Sequence, residues 1–87
     1  LVISRAGVRL TPLKADIFDA IKRRSPHLIQ AAEIASQIGY RGNSIKMHIN
    51  QINDVLEETD WRIAGTRGKH GGYRLVRRRT GSAKERL

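Results

Sequence analysis

Residues 31–57 read AAEIASQIGYRGNSIKMHINQINDVLE, and the fold turns on this stretch. Ala31, Ile34, Ala35 and Ile38 recur at the i, i+3, i+4, i+7 spacing of one helical face. Two of the four are small alanines, which lets another helix pack close. Gly39 ends the pattern as a left-handed C-terminal cap. The five residues Gly39-Tyr40-Arg41-Gly42-Asn43 then make a turn, and Asn43 or Ser44 caps a second helix running to about Glu57. In that helix Ile45, Ile49, Ile52 and Leu56 form the buried face, at spacings of four, three and four. The other face carries Lys46, Asn50 and Asn53, flanked by Ser44, Met47, His48 and Gln51.

Upstream, Thr11-Pro12 is a helix start, a threonine cap followed by proline at the first helical position. Leu13, Ile17, Ala20 and Ile21 share a face, and Ser25-Pro26 stops the helix. His27-Leu28-Ile29 reads as one short extended strand. The opening LVISRAGVRL alternates weakly about a glycine-centred turn, which predicts a small hairpin of Leu1–Ile3 with Val8–Leu10. Downstream, Trp61-Arg62-Ile63-Ala64 and Tyr73-Arg74-Leu75-Val76 alternate as two strands. An eight-residue connection, Gly65 to Gly72, joins them. Trp61, Ile63, Tyr73 and Leu75 take the inward positions, so both aromatics read as core residues rather than base-stacking platforms. The order is helix, strand, helix, turn, helix, hairpin. It predicts an α+β domain, a winged helix-turn-helix with three helices, a C-terminal β-hairpin wing and the short N-terminal hairpin.

No internal repeat and no linker divides the chain, so residues 1–76 read as one domain with a single modest core. Residues 77–87, RRRTGSAKERL, have almost no apolar content and read as a disordered basic tail. The mean hydropathy of −0.47 is that of a globular chain. There is no apolar run near the membrane-spanning length and no signal-peptide pattern, so no membrane is expected. No cysteine is present, which excludes disulfides, thiolate metal sites and a cysteine nucleophile. A reducing, cytoplasmic, nucleoid-associated location follows as an expectation. The chain opens on Leu1 rather than Met, which points to a piece of something longer.

Seventeen Lys and Arg against eight Asp and Glu leave a formal charge of +9, which argues for a polyanionic partner. From Arg74 onward there are six bases and one acid, leaving eleven bases against seven acids before it. The body is therefore basic by itself. Catalysis fits poorly. His27, His48 and His70 lie in three different elements, and none has an acid three or four residues away to orient it. Asp54, Glu57, Glu58 and Asp60 read as a solvated face, no metal-ligand spacing occurs, and no cofactor motif is present.

Duplex DNA fits better. A major groove accepts a helix anchored by an apolar stripe that shows short polar and basic side chains outward. Asn50, Gln51 and Asn53 can pair with the edge of adenine, which points to an A·T-containing half-site. Lys46 reaches a base or a phosphate. His48 either donates to a phosphate or packs beside Tyr40 or Trp61. Met47 is a packing residue or a thymine-methyl contact. The connection between the last strands holds Arg67, Lys69, His70 and four glycines, a composition suited to a narrow minor groove or a phosphate. Arg41 and Arg74 add to the cationic set, and Asn43 and Ser44 open the reading helix. Aromatics at 5% argue against a single-strand binder.

Three segments carry a resemblance: LTPLKADIFDAI (10–21), IKMHINQINDVLEE (45–58) and RIAGTRGKHGGYRLV (62–76). Together they resemble the C-terminal effector domain of OmpR/PhoB-type response regulators. The likeness spans about Val8 to Val76, with the RLV-ended wing its most specific part. It implies a winged-helix domain that regulates transcription, with Ser44, His48, Asn50 and Gln51 facing DNA and Arg67 entering the minor groove. Three departures stand out. The turn before the third helix is shorter than that family's polymerase-contacting loop. Asn50, Gln51 and Asn53 occupy positions usually held by arginines, so the base preference should differ. Lys69-His70-Gly71 are extra residues in the wing. The short turn and the GKHGGYRL ending (68–75) also resemble the N-terminal domain of biotin-operon-repressor-type proteins, which is fused to a biotin ligase.

The expected partners are double-stranded DNA, a receiver or other regulatory domain outside this chain, and a second copy on repeated half-sites. Other classes remain open at this point: an RNA- or ribosome-associated basic domain, the regulatory module of a larger enzyme, or a winged helix used for protein contact.

Overall fold

Thr11 caps the first helix with its hydroxyl 3.4 Å from the Lys14 amide, and Pro12 occupies the first turn. The computed structural model describes residues 2–42, 44–66, 68 and 71–77. Its elements run β1 (Ile3–Arg5), β2 (Val8–Leu10), α1 (Pro12–Arg24), α2 (Ala31–Ile38), α3 (Ile45–Leu56), β3 (Trp61–Thr66) and β4 (Gly72–Arg77). Among the described residues these make a small α+β domain of three helices and two antiparallel two-stranded sheets, β1-β2 and β3-β4. No described helix is long and apolar enough to cross a membrane.

Both sequence-predicted helix faces on α2 and α3 point inward. Ile34 of α2 and Ile45, Ile49, Ile52 and Leu56 of α3 are buried, and Ala31, Ala35 and Ile38 pack partly against them. Gly39 takes φ +73°, and the Tyr40 amide returns to the Ala35 carbonyl at 2.9 Å, closing α2 as expected of a left-handed cap. On α1 the buried stripe is wider than the predicted face, because Ala15 and Phe18 join Ile17, Ala20 and Ile21. Each fully buried isoleucine is worth about 1.5–3 kcal/mol. The apolar spacing therefore decides how the helices are set.

Four boundaries differ from expectation. Ala6 and Gly7 both have positive φ, 52° and 82°, making a two-residue primed turn. That turn pairs Arg5 with Val8, so the first strand is Ile3–Arg5 rather than Leu1–Ile3. The stretch 27–29 is no strand of its own but a single bridge, in which Ile29 exchanges both backbone bonds with Tyr73 at 2.8 and 2.9 Å. The C-terminal hairpin is longer, since Gly65 pairs with Tyr73 and Thr66 with Gly72. Arg77 belongs to β4, opposite Trp61, and not to a tail. The expected tail from residue 78 lies outside the described residues.

Side chains cover both edges of this last hairpin. On the β3 edge, the Asn53 amide accepts from the Ile63 N–H (2.8 Å) and donates to the Ile63 carbonyl (3.0 Å). The Thr59 hydroxyl receives the Trp61 N–H at 3.0 Å. On the β4 edge, the Ser25 hydroxyl accepts from the Leu75 N–H at 2.8 Å and itself donates to the Ile21 carbonyl. Open strand edges invite pairing with other chains, and these bonds close them. They also fix the hairpin between α3 and the end of α1. Two ion pairs add lesser ties: Arg5–Asp19, bidentate at 2.8 and 3.0 Å, joins β1 to α1, and Arg24–Glu33 joins α1 to α2. Both are partly exposed, so water screens them and each is a weak tie.

Candidate functional site

The apolar stripe of α3 is sealed against the core, which leaves a polar face outward. Its N-terminal half exposes Lys46, Met47, Asn50 and Gln51. Its C-terminal half exposes Asp54, Glu57 and Glu58 just at and beyond its end. The face is thus divided: one cation and neutral amides first, carboxylates after. Acids at a helix C-terminus oppose the dipole and are tolerated in water.

Three residues expected on the outward face are engaged elsewhere. Asn53 is half-buried with both amide atoms spent on Ile63, so it clamps the hairpin and is not free to read a base. The Ser44 hydroxyl does not cap α3, because it hydrogen-bonds the Tyr40 hydroxyl. His48 packs edge-on against Tyr40, ring centroids 5.7 Å apart at 84°. Of the two roles weighed for His48, the packing one matches this placement. Its Nδ1 is buried and has no hydrogen-bond partner among the described residues.

Burial, and secondarily the charge of Lys14, hold the His48 imidazole below its ordinary pKa of 6.5. The neutral ring is therefore favoured in the folded chain, and the unfolded chain takes up the proton first. This stabilisation is present above about pH 6.5 and is lost as pH falls through the lowered folded value. Thermal midpoints measured from pH 7.5 downward should drop across this window, and His48→Phe should flatten the drop. An identical profile in both chains would show that another group carries it.

Between α3 and the β3–β4 hairpin lies an open groove of about 540 Å³. Ile49, Ile63 and Tyr73 lie along it, Lys46 and Asn50 line the helix side, and Gly65 lines the strand side. The start of α2, at Gln30 and Ala31, opens onto the same space. The structure therefore brings Lys46 and Asn50 together with the hairpin, with Met47 and Gln51 beside them on the helix. Arg41 is exposed in the turn before α3. Arg74 does not join this group. It lies across from Ala64, on the sheet face turned away from the core. Asn43, Arg67, Lys69 and His70 lie outside the described residues. Sequence reasoning missed Gln30 as a lining residue, because only tertiary contact brings the start of α2 to the groove; Gly65 and Thr66, read as part of the connection, line it from within β3.

No protein-family model, curated protein or solved structure matches this chain. The resemblances read from the sequence stand on their quoted segments alone, and the functional reading stands on the groove and the exposed half of α3.

Proposed function

We propose that this chain is a winged helix-turn-helix domain that binds duplex DNA by sequence and serves a transcription regulator. One observation carries the reading. α3 is anchored by a sealed apolar stripe while its first half holds Lys46, Met47, Asn50 and Gln51 in solvent. In this reading that half enters the major groove, and the groove-side end of the C-terminal hairpin, at Gly65, Thr66 and Gly72, acts as the wing, on the minor groove or the flanking phosphates. The acidic end of α3 keeps the helix from lying flat along the phosphates, so its N-terminal half leads. Asn50 and Gln51 read adenine through paired hydrogen bonds, Met47 meets a thymine methyl, and Lys46 and Arg41 hold phosphates. The domain is a binding module rather than an enzyme.

A gel-shift titration tests the electrostatic part. Neutralising about six phosphates gives a log K against log salt slope of about −5. With a selected cognate duplex in hand, Asn50→Ala or Gln51→Ala should cost about 1–3 kcal/mol there and much less on random duplex. Equal losses on both sequences would rule out base reading by these amides. Structured RNA that outcompetes the cognate duplex would move the protein to the RNA-binding class.

A further inference from the structure

The charge of this chain is not concentrated on α3. Among the described cations, Arg5, Arg24 and Arg77 are in ion pairs with Asp19, Glu33 and Asp60. Arg62 and Arg74 pair with no acid among the described residues, and both are exposed. The β3–β4 register places them on one face: Arg62 lies opposite Val76, and Arg74 opposite Ala64. Strand side chains alternate, so these four project together while Trp61, Ile63, Tyr73 and Leu75 project to the core. The two arginines are diagonal neighbours, with Cβ atoms roughly 7 Å apart. Only Ala64 and Val76 share that face with them, so both guanidiniums stand in solvent where one phosphate backbone could meet the two together. Each guanidinium presents a planar fork that fits phosphate oxygens.

This face is separate from the α3 site. The hairpin meets α3 along its β3 edge, through Asn53 and Ile63, and meets α1 and Ile29 along its β4 edge. Helices thus flank both edges and the inner face, and the outer face looks away from them. Lys46 and Asn50 line the groove beside the inner face of the hairpin, with Ile63, Gly65 and Tyr73, whereas Arg62 and Arg74 lie on the opposite face of the same sheet.

We infer that the outer face of the C-terminal hairpin is a second phosphate-contact surface, taking the backbone of a duplex other than the one read by α3. The inference rests on the reading of α3 as a duplex binder. It makes the domain a bridge between two DNA segments, sequence-specific on one side and indifferent to sequence on the other, because a two-stranded face of arginines meets phosphates and no base edges.

The test uses the whole chain, a short cognate duplex fixed to beads and a second, fluorescent duplex of unrelated sequence in solution. The wild-type protein should retain the fluorescent duplex on the beads. The R62A/R74A double variant should lower that retention about tenfold, because two phosphate contacts are gone. Its affinity for a single cognate duplex, by anisotropy, should change less than about twofold, since the α3 contacts are intact. Both side chains are exposed, so the thermal midpoint should hold. If the alanines lower it, Arg62→Gln with Arg74→Gln removes the charge while keeping the side-chain stems. Parallel loss of single-duplex affinity would place both arginines on the α3 duplex and overturn the inference. Retention unchanged by either variant would overturn it as well. A wild-type chain that binds one duplex and never retains a second overturns the bridge alone. A chain that binds no duplex at all overturns the α3 reading too.

Discussion

A Gly72→Ala chain is expected to lose the seam between its C-terminal hairpin and Ile29, at a cost of about 2–4 kcal/mol. A Cβ at Gly72 would lie 2.8 Å from the Ile29 carbonyl oxygen, 2.9 Å from its carbonyl carbon and 3.2 Å from its nitrogen. These are backbone atoms, and they have little room to give. Ile29 is held by two bonds to Tyr73, and its side chain is fully buried. Separation must therefore break or stretch both bonds and partly unseat the isoleucine. For a domain of this size the thermal midpoint should fall by about 10–20 °C. Gly65→Ala is the matched control. Its Cβ would meet only the Tyr73 ring, at 3.1 Å, and a ring can swing aside. Urea or thermal unfolding of both variants decides the matter. If Gly72→Ala costs no more than Gly65→Ala, the close approach to Ile29 does not constrain the fold.

The second large effect is expected at Asn53. Asn53→Ala removes an acceptor and a donor at once and leaves the N–H and carbonyl of Ile63 without partners beside the buried Ile63 side chain. Unmade bonds at such a position cost about 1–3 kcal/mol each, so a total of roughly 2–6 kcal/mol is expected. Asn53→Asp keeps the acceptor for the Ile63 N–H but cannot donate to the carbonyl, and should fall between alanine and the wild type. Asn50→Ala, one helical turn earlier and exposed, should stay within about 0.5 kcal/mol in stability. If α3 reads a duplex as proposed, the two asparagines separate fold from readout. Losing Asn53 should loosen the hairpin and weaken all duplexes alike, whereas losing Asn50 should weaken the cognate one. A stable Asn53→Ala chain with selective loss on the cognate duplex would return Asn53 to the reading face.

What was legible in the sequence is what repeats locally. The α3 stripe, the Thr11-Pro12 start, the Gly39 cap and the alternation about Trp61 and Tyr73 each depend on residues a few places apart, and all are found where expected. What was not legible depends on a distant neighbour. Asn53 has the polarity and spacing of a groove-reading residue, and only the arrival of Ile63 against it shows otherwise. Ser25 marks a helix stop in the sequence, yet its hydroxyl also holds Leu75, fifty positions away. Gly65 and Gly72 look like loop residues because glycine is rare in strands, and Thr66 beside Gly65 is read with them; pairing overrides that preference. Of the candidate site, the outward polarity of Lys46, Met47, Asn50 and Gln51 was legible; the groove was not, because its far wall comes from another part of the chain.

The single tryptophan lies at the base of the hairpin, half-buried, with the Arg77 guanidinium 5.5 Å from its ring centre. Its own backbone is tied to Thr59, just past α3. Red-edge excitation therefore isolates one indole, at the joint between the last helix and the last two strands. A guanidinium over an indole face senses its displacement directly. The molecule carries a built-in fluorophore there, placed to report on the packing of the hairpin against the end of α3 and not on the N-terminal sheet.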